Sequence, residues 1–423
     1  MNYADFPGWS RLDNAAKIFP PNSSAKDPKV FRFFCELQEP VDPRILQAAL
    51  DETVRQFPFF CSVMKRGLFW NYLEDSSLRP VVSEENAPPC MPLYSPNRKS
   101  LLFRVFYYGR RINLEIYHVL TDGTGAMQFL CTLVRCYLLE RHSREFSDPP
   151  PGPAYTAARS QLWDDSFQKY YEKPPLPKPS LTRSAYRLRG ERLPENRLSV
   201  VEGHMPVDAL LACSRARGAT VTEFLTAVLI RAIHTQMRLR DDVRPVVVTV
   251  PVNLRNYFPS ESARNFFTTI NVGYDFSRQP DELDAITAHV HRCFRENLTK
   301  KQLHERINAL CFLEHNIPLR LVPLLLKDQI LHMAARLADR QATASFSNVG
   351  KVTMAAELER HIRLFGAFTS PNKLQASVCS FQNRCVVSFA GPFCGRDVER
   401  AFFRSLVQLG IDVEITANLP YVE

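Results

Sequence analysis

The sequence predicts an α/β layered protein built from two similar halves, each a mixed sheet flanked by helices. Three observations carry this. Strand-like and helix-like periodicities alternate along the chain, the second half restarts with the strand-then-helix order of the first, and proline-rich stretches lie between them. At 423 residues the chain exceeds the size at which a single core stops growing, so two domains are expected. Hydrophobic residues at 45% and charged residues at 23% match a globular protein with real cores and exclude a disordered chain.

In the first half, Asp42-Pro43 supplies a helix cap and a first-turn proline. Ile45, Leu46, Ala49, Leu50, Val54 and Phe57 then recur at helical spacing until Phe57-Pro58 ends the segment. Strand-like runs follow at 60–65 and 68–73. Residues 101–108 and 112–117 flank Gly109-Arg110-Arg111 and predict a hairpin. Within the second of these strands, alternation puts Ile112, Leu114, Ile116 and His118 on one face and Asn113, Glu115 and Tyr117 on the other, so His118 is expected to point to the buried side. Thr121-Asp122-Gly123-Thr124-Gly125 predicts a turn and 126–139 the next helix.

Residues 147–153 and Pro174-Pro175-Leu176-Pro177-Lys178-Pro179 are stiff, extended segments with little power to form a core. The chain is therefore divided into a first lobe (1–155), a linker (156–185) and a second lobe (186–423), with no short tandem repeat. The second lobe opens with a strand at 198–205 that leads through Pro206-Val207-Asp208 into a helix. Thr220-Val221-Thr222-Glu223 then starts a longer helix, expected to reach 238. Strands are predicted at 246–251 and 266–274, a helix at 282–298 and an apolar helix at 323–338. Strands at 342–347, 374–380 and 385–390 precede a last helix at 398–409. For Pro323-Leu324-Leu325-Leu326, running into Ile330, Leu331, Met333 and Ala334, core packing is the default expectation. Membrane docking or the lining of an acyl tunnel are its rivals.

Lys and Arg total 53 against 44 Asp and Glu, a net charge of +9 that favours anionic partners in general. The basic residues are scattered apart from short clusters at 178–192 and 231–244, which predicts a solvated surface and no nucleic-acid function. Eleven cysteines without a C-x-x-C pair argue against a disulfide framework or a zinc finger and fit a reducing compartment. The start lacks a basic region followed by an apolar stretch, and no apolar run approaches the ~18 residues of a membrane span. A cytoplasmic protein without an integral membrane segment is expected. His289, His291 and Cys293 do not make a metal site on this reading, because only His289 and Cys293 share a helix face and no third ligand is evident.

The most informative stretch is Tyr117-His118-Val119-Leu120-Thr121-Asp122-Gly123. A neutral imidazole at a strand end beside a glycine-rich turn suits general base chemistry, because its ordinary pKa of ~6.5 lets it accept a proton near neutrality. Without the Asp-Gly that follows it, His118 would read first as a hydrogen-bonded core histidine, and the surrounding motifs reverse that preference. Asp122 is expected to be a structural carboxylate rather than a second catalyst, and a buried carboxylate requires a cationic partner.

His118-x-x-x-Asp122-Gly123, preceded by a strand and by a proline-ended amphipathic helix, resembles the signature of the coenzyme A-dependent acyltransferase superfamily, which includes chloramphenicol and alcohol acetyltransferases, polyketide-associated acyltransferases and condensation domains. The likeness runs over nearly the whole chain. Val41-Asp42-Pro43 through Phe57-Pro58-Phe59 is similar to the superfamily's first helix, and Gly218-Ala219-Thr220-Val221-Thr222-Glu223 to the helix opening its second lobe. Pro251-Val252-Asn253-Leu254-Arg255 and Ser345-Phe346-Ser347-Asn348-Val349-Gly350 are similar to later motifs of the alcohol acetyltransferase-like branch. The resemblance implies two chloramphenicol acetyltransferase-like lobes with a tunnel between them, a His118 general base, a structural Asp122, and a Gly123 that allows a tight turn. It also implies Arg255 as the partner of Asp122, and Ser347 or Asn348 on a loop at the tunnel, where either donates to an oxyanion.

The implied co-substrate is an acyl-CoA or acyl-pantetheine, with no permanently bound cofactor. The acceptor is a small alcohol or a lipid-like hydroxyl, an acyl carrier protein is an alternative donor, and a monomer suffices because both lobes lie in one chain. Two departures stand out. The plant-type Asp-Phe-Gly-Trp-Gly loop is replaced by Ser347-Asn348-Val349-Gly350, and Tyr117 stands where condensation domains carry a first histidine. An amide-forming condensation enzyme and a catalytically silent binding protein on the same fold are the rival expectations.

Overall fold

The structure is a computed structural model that describes residues 8–146, 165–172, 183–238, 241, 243–316 and 320–419. Two mixed sheets organise it. The first has five strands in the order Ile362–Thr369, Val30–Leu37, Arg111–Tyr117, Phe103–Tyr108, Ser83–Glu84. The second has seven, in the order Phe267–Tyr274, Val246–Asn253, Ala344–Val352, Gln375–Phe381, Arg384–Gly391, Ser199–Pro206, Glu414–Ala417. A small three-stranded sheet of Trp9–Arg11, Asn71–Asp75 and Ser62–Arg66 sits beside the first.

Local sequence explains the helices. Asp42 Oδ1 accepts from the amides of Arg44 and Ile45 at 2.9 and 3.3 Å, which caps helix Pro43–Gln56 and satisfies two orphan donors. Its stripe of Leu46, Ala49, Leu50 and Thr53 is buried against helix Gly123–Arg141, and the latter lies on the first sheet. In the second lobe, Thr220 and Glu223 form a reciprocal capping box at the start of helix Val221–His234. That helix is buried nearly all round, because it lies between the second sheet and the helices Leu283–Asn297 and Asp397–Gln408. It ends at His234, short of 238, and turns follow.

Five strands were not anticipated, among them the short Trp9–Arg11, Ser83–Glu84 and Glu414–Ala417, and the two longest matter most. Strand 30–37 is buried at every position and paired on both edges, so it carries no alternation to betray it. Strand 362–369, from the second half of the chain, crosses over and pairs antiparallel with it, Phe365 opposite Cys35. The division at 155 and 186 is corrected accordingly: the first sheet is incomplete without residues 362–369. Of the proposed linker, residues 165–172 and 183–185 are described. The former are no free connector, because Phe167 is fully buried in the second core. The proline-rich 147–153 and 174–179 lie outside the described residues.

The lobes are joined by buried ions. Arg111 Nη2 meets Glu202 of the second lobe at 2.8 Å while its Nε bonds Glu36 at 2.8 Å. Glu115, expected on a polar strand face, is buried between Arg32 at 2.7 Å and Arg104 at 2.6 Å. Core packing is the wrong expectation for the apolar helix of the second half. Helix Leu324–Asp339 buries only Leu324 and Lys327 and turns Leu325, Leu326 and Leu337 outward.

Candidate active site

Strand 111–117 ends at the fully buried Tyr117, whose hydroxyl lies 2.8 Å from Ser23 Oγ and whose ring stacks on Tyr94. One residue further, the amide of His118 donates to the Lys29 carbonyl at 2.9 Å, which fixes the backbone from which the imidazole projects. The ring stacks on Phe19 with centroids 4.5 Å apart and meets the edge of Phe31 at 4.9 Å, both in the first lobe. Phe267 of the second lobe lies at 5.4 Å. His118 is thus held by an aromatic box at the seam, yet it is only half-buried.

One face of the imidazole is claimed by a relay that the sequence did not announce. His118 Nδ1 lies 3.1 Å from Asn265 Oδ1, and the Asn265 side-chain amide donates to Asp13 Oδ2 at 3.1 Å. Asp13 is fully buried. Its Oδ1 accepts from the Ala16 amide at 2.7 Å, its Oδ2 also from the Asn265 amide at 3.4 Å, and Arg264 Nε lies 3.6 Å away. Both Asp13 oxygens face N–H donors, so Asn265 must turn its NH2 to Asp13 and its carbonyl to His118. Nδ1 therefore carries the proton, and Nε2 presents its lone pair. Burial pushes the imidazole pKa below its ordinary value, opposed by the backbone at His118 and by Asp122, Asn265 and Asp13. Burial likewise raises the Asp13 carboxyl, opposed by Arg264 and by its amide donors.

Asp122 faces away from His118 and clasps the lobes. As the N-cap of helix 123–141, its Oδ1 accepts from the amides of Thr124 and Gly125 at 3.0 and 3.2 Å. Its Oδ2 accepts from Arg255 Nη1 at 2.7 Å and from the Phe266 amide at 2.8 Å. The Arg255 guanidinium is saturated in turn by the carbonyls of Ser262 and Arg264 and by Asn253 Oδ1, so the pair sits in a fully hydrogen-bonded buried network. Asn253 also donates to Thr124 Oγ1 at 3.1 Å, a second tie between the lobes.

Gly123 does not supply the tight turn. It stands at the first helical position without a positive φ, and a Cβ there would meet only the Phe33 ring at ordinary contact distance. The close approach is at Gly125, where a Cβ would run into the Ala263 carbonyl and the Thr121 hydroxyl, groups already hydrogen-bonded to one another across the seam. Ser347 and Asn348 lie on strand 344–352, not on a loop. That strand pairs with 246–253 only at Ala344 and Ser345, after which the two part. Asn348 is exposed, its amide donates to Thr222 Oγ1 at 2.6 Å, and its Oδ1 accepts from the Gly350 amide at a bulge. Ser347 is half-buried, with its hydroxyl unbonded among the described residues.

No family model matches the sequence, and no curated protein does. Solved structures do. A protein of F. sporotrichioides complexed with coenzyme A and T-2 superposes with a TM-score of 0.65 at 13% identity, over 96% of this chain and 99% of that one. The chain has the two-lobed fold of coenzyme A-dependent acyltransferases and condensation domains. Trichothecene 15-O-acetyltransferase from Fusarium sporotrichioides gives 0.60 at 12% identity, covering 95% of each chain. The first condensation domain of the CDA synthetase gives 0.59 at 15%, again over 95% of each.

Away from the seam, other histidine clusters are engaged locally. His289 Nε2 contacts Cys293 Sγ at 3.3 Å and the Gly273 carbonyl at 2.9 Å, while His291 turns to Glu223, so the three do not converge. His142, Glu145 and His361 do bring ligand atoms within 4.8 Å of one another, but Glu145 is engaged by Arg360 at 3.1 Å. The trio lies past the far end of helix 123–141, about 30 Å from Asp122 at 1.5 Å per residue. No helix among the described residues is long and apolar enough to cross a membrane.

Proposed function

We propose that the protein is an acyltransferase that moves an acyl group from a coenzyme A or pantetheine thioester to an acceptor hydroxyl, with His118 as general base. The observation that carries this reading is the locked tautomer: Asp13 and Asn265 commit Nδ1 as donor and leave Nε2 unbonded on a half-buried ring at the seam of the lobes. Nε2 takes the acceptor's proton as the oxygen attacks the thioester carbonyl. The tetrahedral oxyanion then collapses, the C–S bond breaks, and the departing thiolate receives the same proton back from Nε2. Nothing is covalently attached to the protein.

Asp122 and Arg255 serve as the clasp that fixes the lobes around this point, and no proton passes through them. Of the two candidates on strand 344–352, Asn348 is committed to Thr222 and Gly350, so Ser347 is the proposed oxyanion donor. Gly123, without a Cβ, leaves room at the helix start beside Phe33. The solved structures of similar fold, bound to coenzyme A or named as acetyltransferases, support the donor class. Incubation with acetyl-CoA and a panel of alcohols and amines, followed by thiol release, tests the proposal. His118-dependent release that rises with an alcohol supports it, release that rises only with amines redirects it to amide formation, and release unaffected by His118→Ala rejects it.

A further inference from the structure

Helix 324–339 is built inside out. Leu326, Ile330, Met333 and Leu337 recur at i, i+4, i+7 and i+11, the spacing of one helical face, and each is between 51% and 64% exposed. Leu321 and Leu325 extend this stripe at its start. Leu68 joins them, because the Leu324 amide donates to its carbonyl at 2.9 Å, and Leu68 is the most exposed large apolar residue in the described chain at 73%. The face that should be polar is the one turned inward. Lys327 is buried with Nζ over the Trp70 ring at 3.5 Å and bonded to the Phe69 carbonyl at 3.1 Å, and His332 Nδ1 lies 3.1 Å from Asn22 Oδ1. Soluble proteins rarely leave a contiguous apolar patch of this kind uncovered.

The charge around the stripe says what covers it. Arg320 precedes it, Arg336 and Arg340 close it, and none of the three makes an ion pair among the described residues. The helix's acids are already neutralised, Asp328 by Arg66 at 3.2 Å and Asp339 by Lys373 at 2.9 Å. At the C-terminal end, Arg336 and Arg340 share a 450 Å³ cavity with Arg187, Arg192 and Lys373, in which Asp339 is the one acidic residue among the described ones. An apolar stripe running into a cationic hollow matches the layered chemistry of an anionic bilayer, acyl chains beside phosphates. A neutral apolar protein partner would leave the arginines desolvated and unpaired.

We propose that this face docks the protein on an anionic phospholipid surface, with the helix lying in the headgroup plane and the arginine-lined cavity receiving a lipid phosphate. The helix packs on the turn Pro20–Asn22 that follows Phe19, the residue stacked on His118, so docking sets the seam of the lobes close to the lipid. On the acyltransferase reading, on which this last consequence alone rests, the acceptor or the acyl chain is lipid-borne.

The test is flotation of the full chain with phosphatidylcholine vesicles, with and without about one quarter phosphatidylglycerol. Light scattering is run in parallel. The wild type should float with the anionic vesicles and stay free of the neutral ones. Ile330→Glu with Met333→Glu should abolish flotation while circular dichroism is unchanged. Arg336→Gln with Arg340→Gln, which leaves the apolar face intact, should weaken it by about 30-fold, from roughly a fivefold loss per cation. Lack of flotation overturns the proposal. So does a wild-type dimer that the Glu pair converts to monomer without any effect on vesicles, which would make the face an interface between copies. Because flotation needs no turnover, loss of acyl transfer in His118→Ala with flotation intact separates this proposal from the catalytic one.

Discussion

Replacing Asp122 by asparagine probes the clasp between the lobes with almost no change of volume. The cap survives, because an asparagine carbonyl serves the Thr124 and Gly125 amides as well as Oδ1 does. What changes is the other oxygen. An NH2 now faces Arg255 Nη1, which keeps only the longer bond to Asn253 Oδ1 at 3.3 Å, and the Phe266 amide, two donors that both lose their carboxylate acceptor. The Arg255 guanidinium, 11% exposed, is left as an uncompensated buried charge. Removing one partner of a buried pair costs about 3–5 kcal/mol, most of it from the charge left behind. The assay is urea unfolding followed by fluorescence and circular dichroism, with Arg255→Met and the double variant completing a cycle. The double variant should recover part of the loss, giving a coupling of about 1–3 kcal/mol. Asp122→Asn unfolding at the wild-type urea concentration, with unchanged slope, refutes the argument that the network needs an anion.

Four further outcomes follow from the site. His118→Ala should lower turnover by roughly 100-fold or more while the circular dichroism spectrum is retained, the scale of a lost general base. The acid limb of kcat/KM should fall below the ordinary histidine value of ~6.5, because burial favours the neutral ring; the group protonates as pH drops through its depressed pKa, so activity is present above that value and lost beneath it. Asn265→Leu should cut kcat about tenfold or more with little change in KM and displace that limb, since it removes the acceptor that locks the tautomer. Gly125→Ala should destabilise by about 1–3 kcal/mol in thermal melts, whereas Gly123→Ala should melt near the wild type.

Sequence patterning reads well where the deciding interactions are local. Asp42-Pro43 and Thr220-x-x-Glu223 mark helix starts because the caps close within three residues, and Gly109 marks its hairpin because the turn needs a positive φ. It fails where both sides of an element are covered. Strand 30–37 is apolar at five of its first six positions and shows no period of two, and strand 362–369 is placed only by a partner more than 300 residues away. The site divides along the same line. The His118 and Asp122 positions stand out through their spacing, whereas Asp13 and Asn265 are single polar residues in unpatterned segments, made meaningful by contacts across 252 residues of chain. Helix 324–339 has the expected periodicity and the opposite orientation, because periodicity defines a face without saying what that face meets.

The crossover strand imposes an order on synthesis. Residues 30–37 leave the ribosome early with one flank paired to 111–117, but their other flank waits for 362–369. At about 5–20 residues per second the interval is roughly twenty seconds to a minute. Throughout it a long hydrophobic edge lies open to any passing strand, the arrangement most prone to aberrant pairing. Expression of the first 155 residues by themselves makes that transient exposure permanent, so such a fragment should depend on chaperones or precipitate, and supplying residues 362–369 in trans is what would close it.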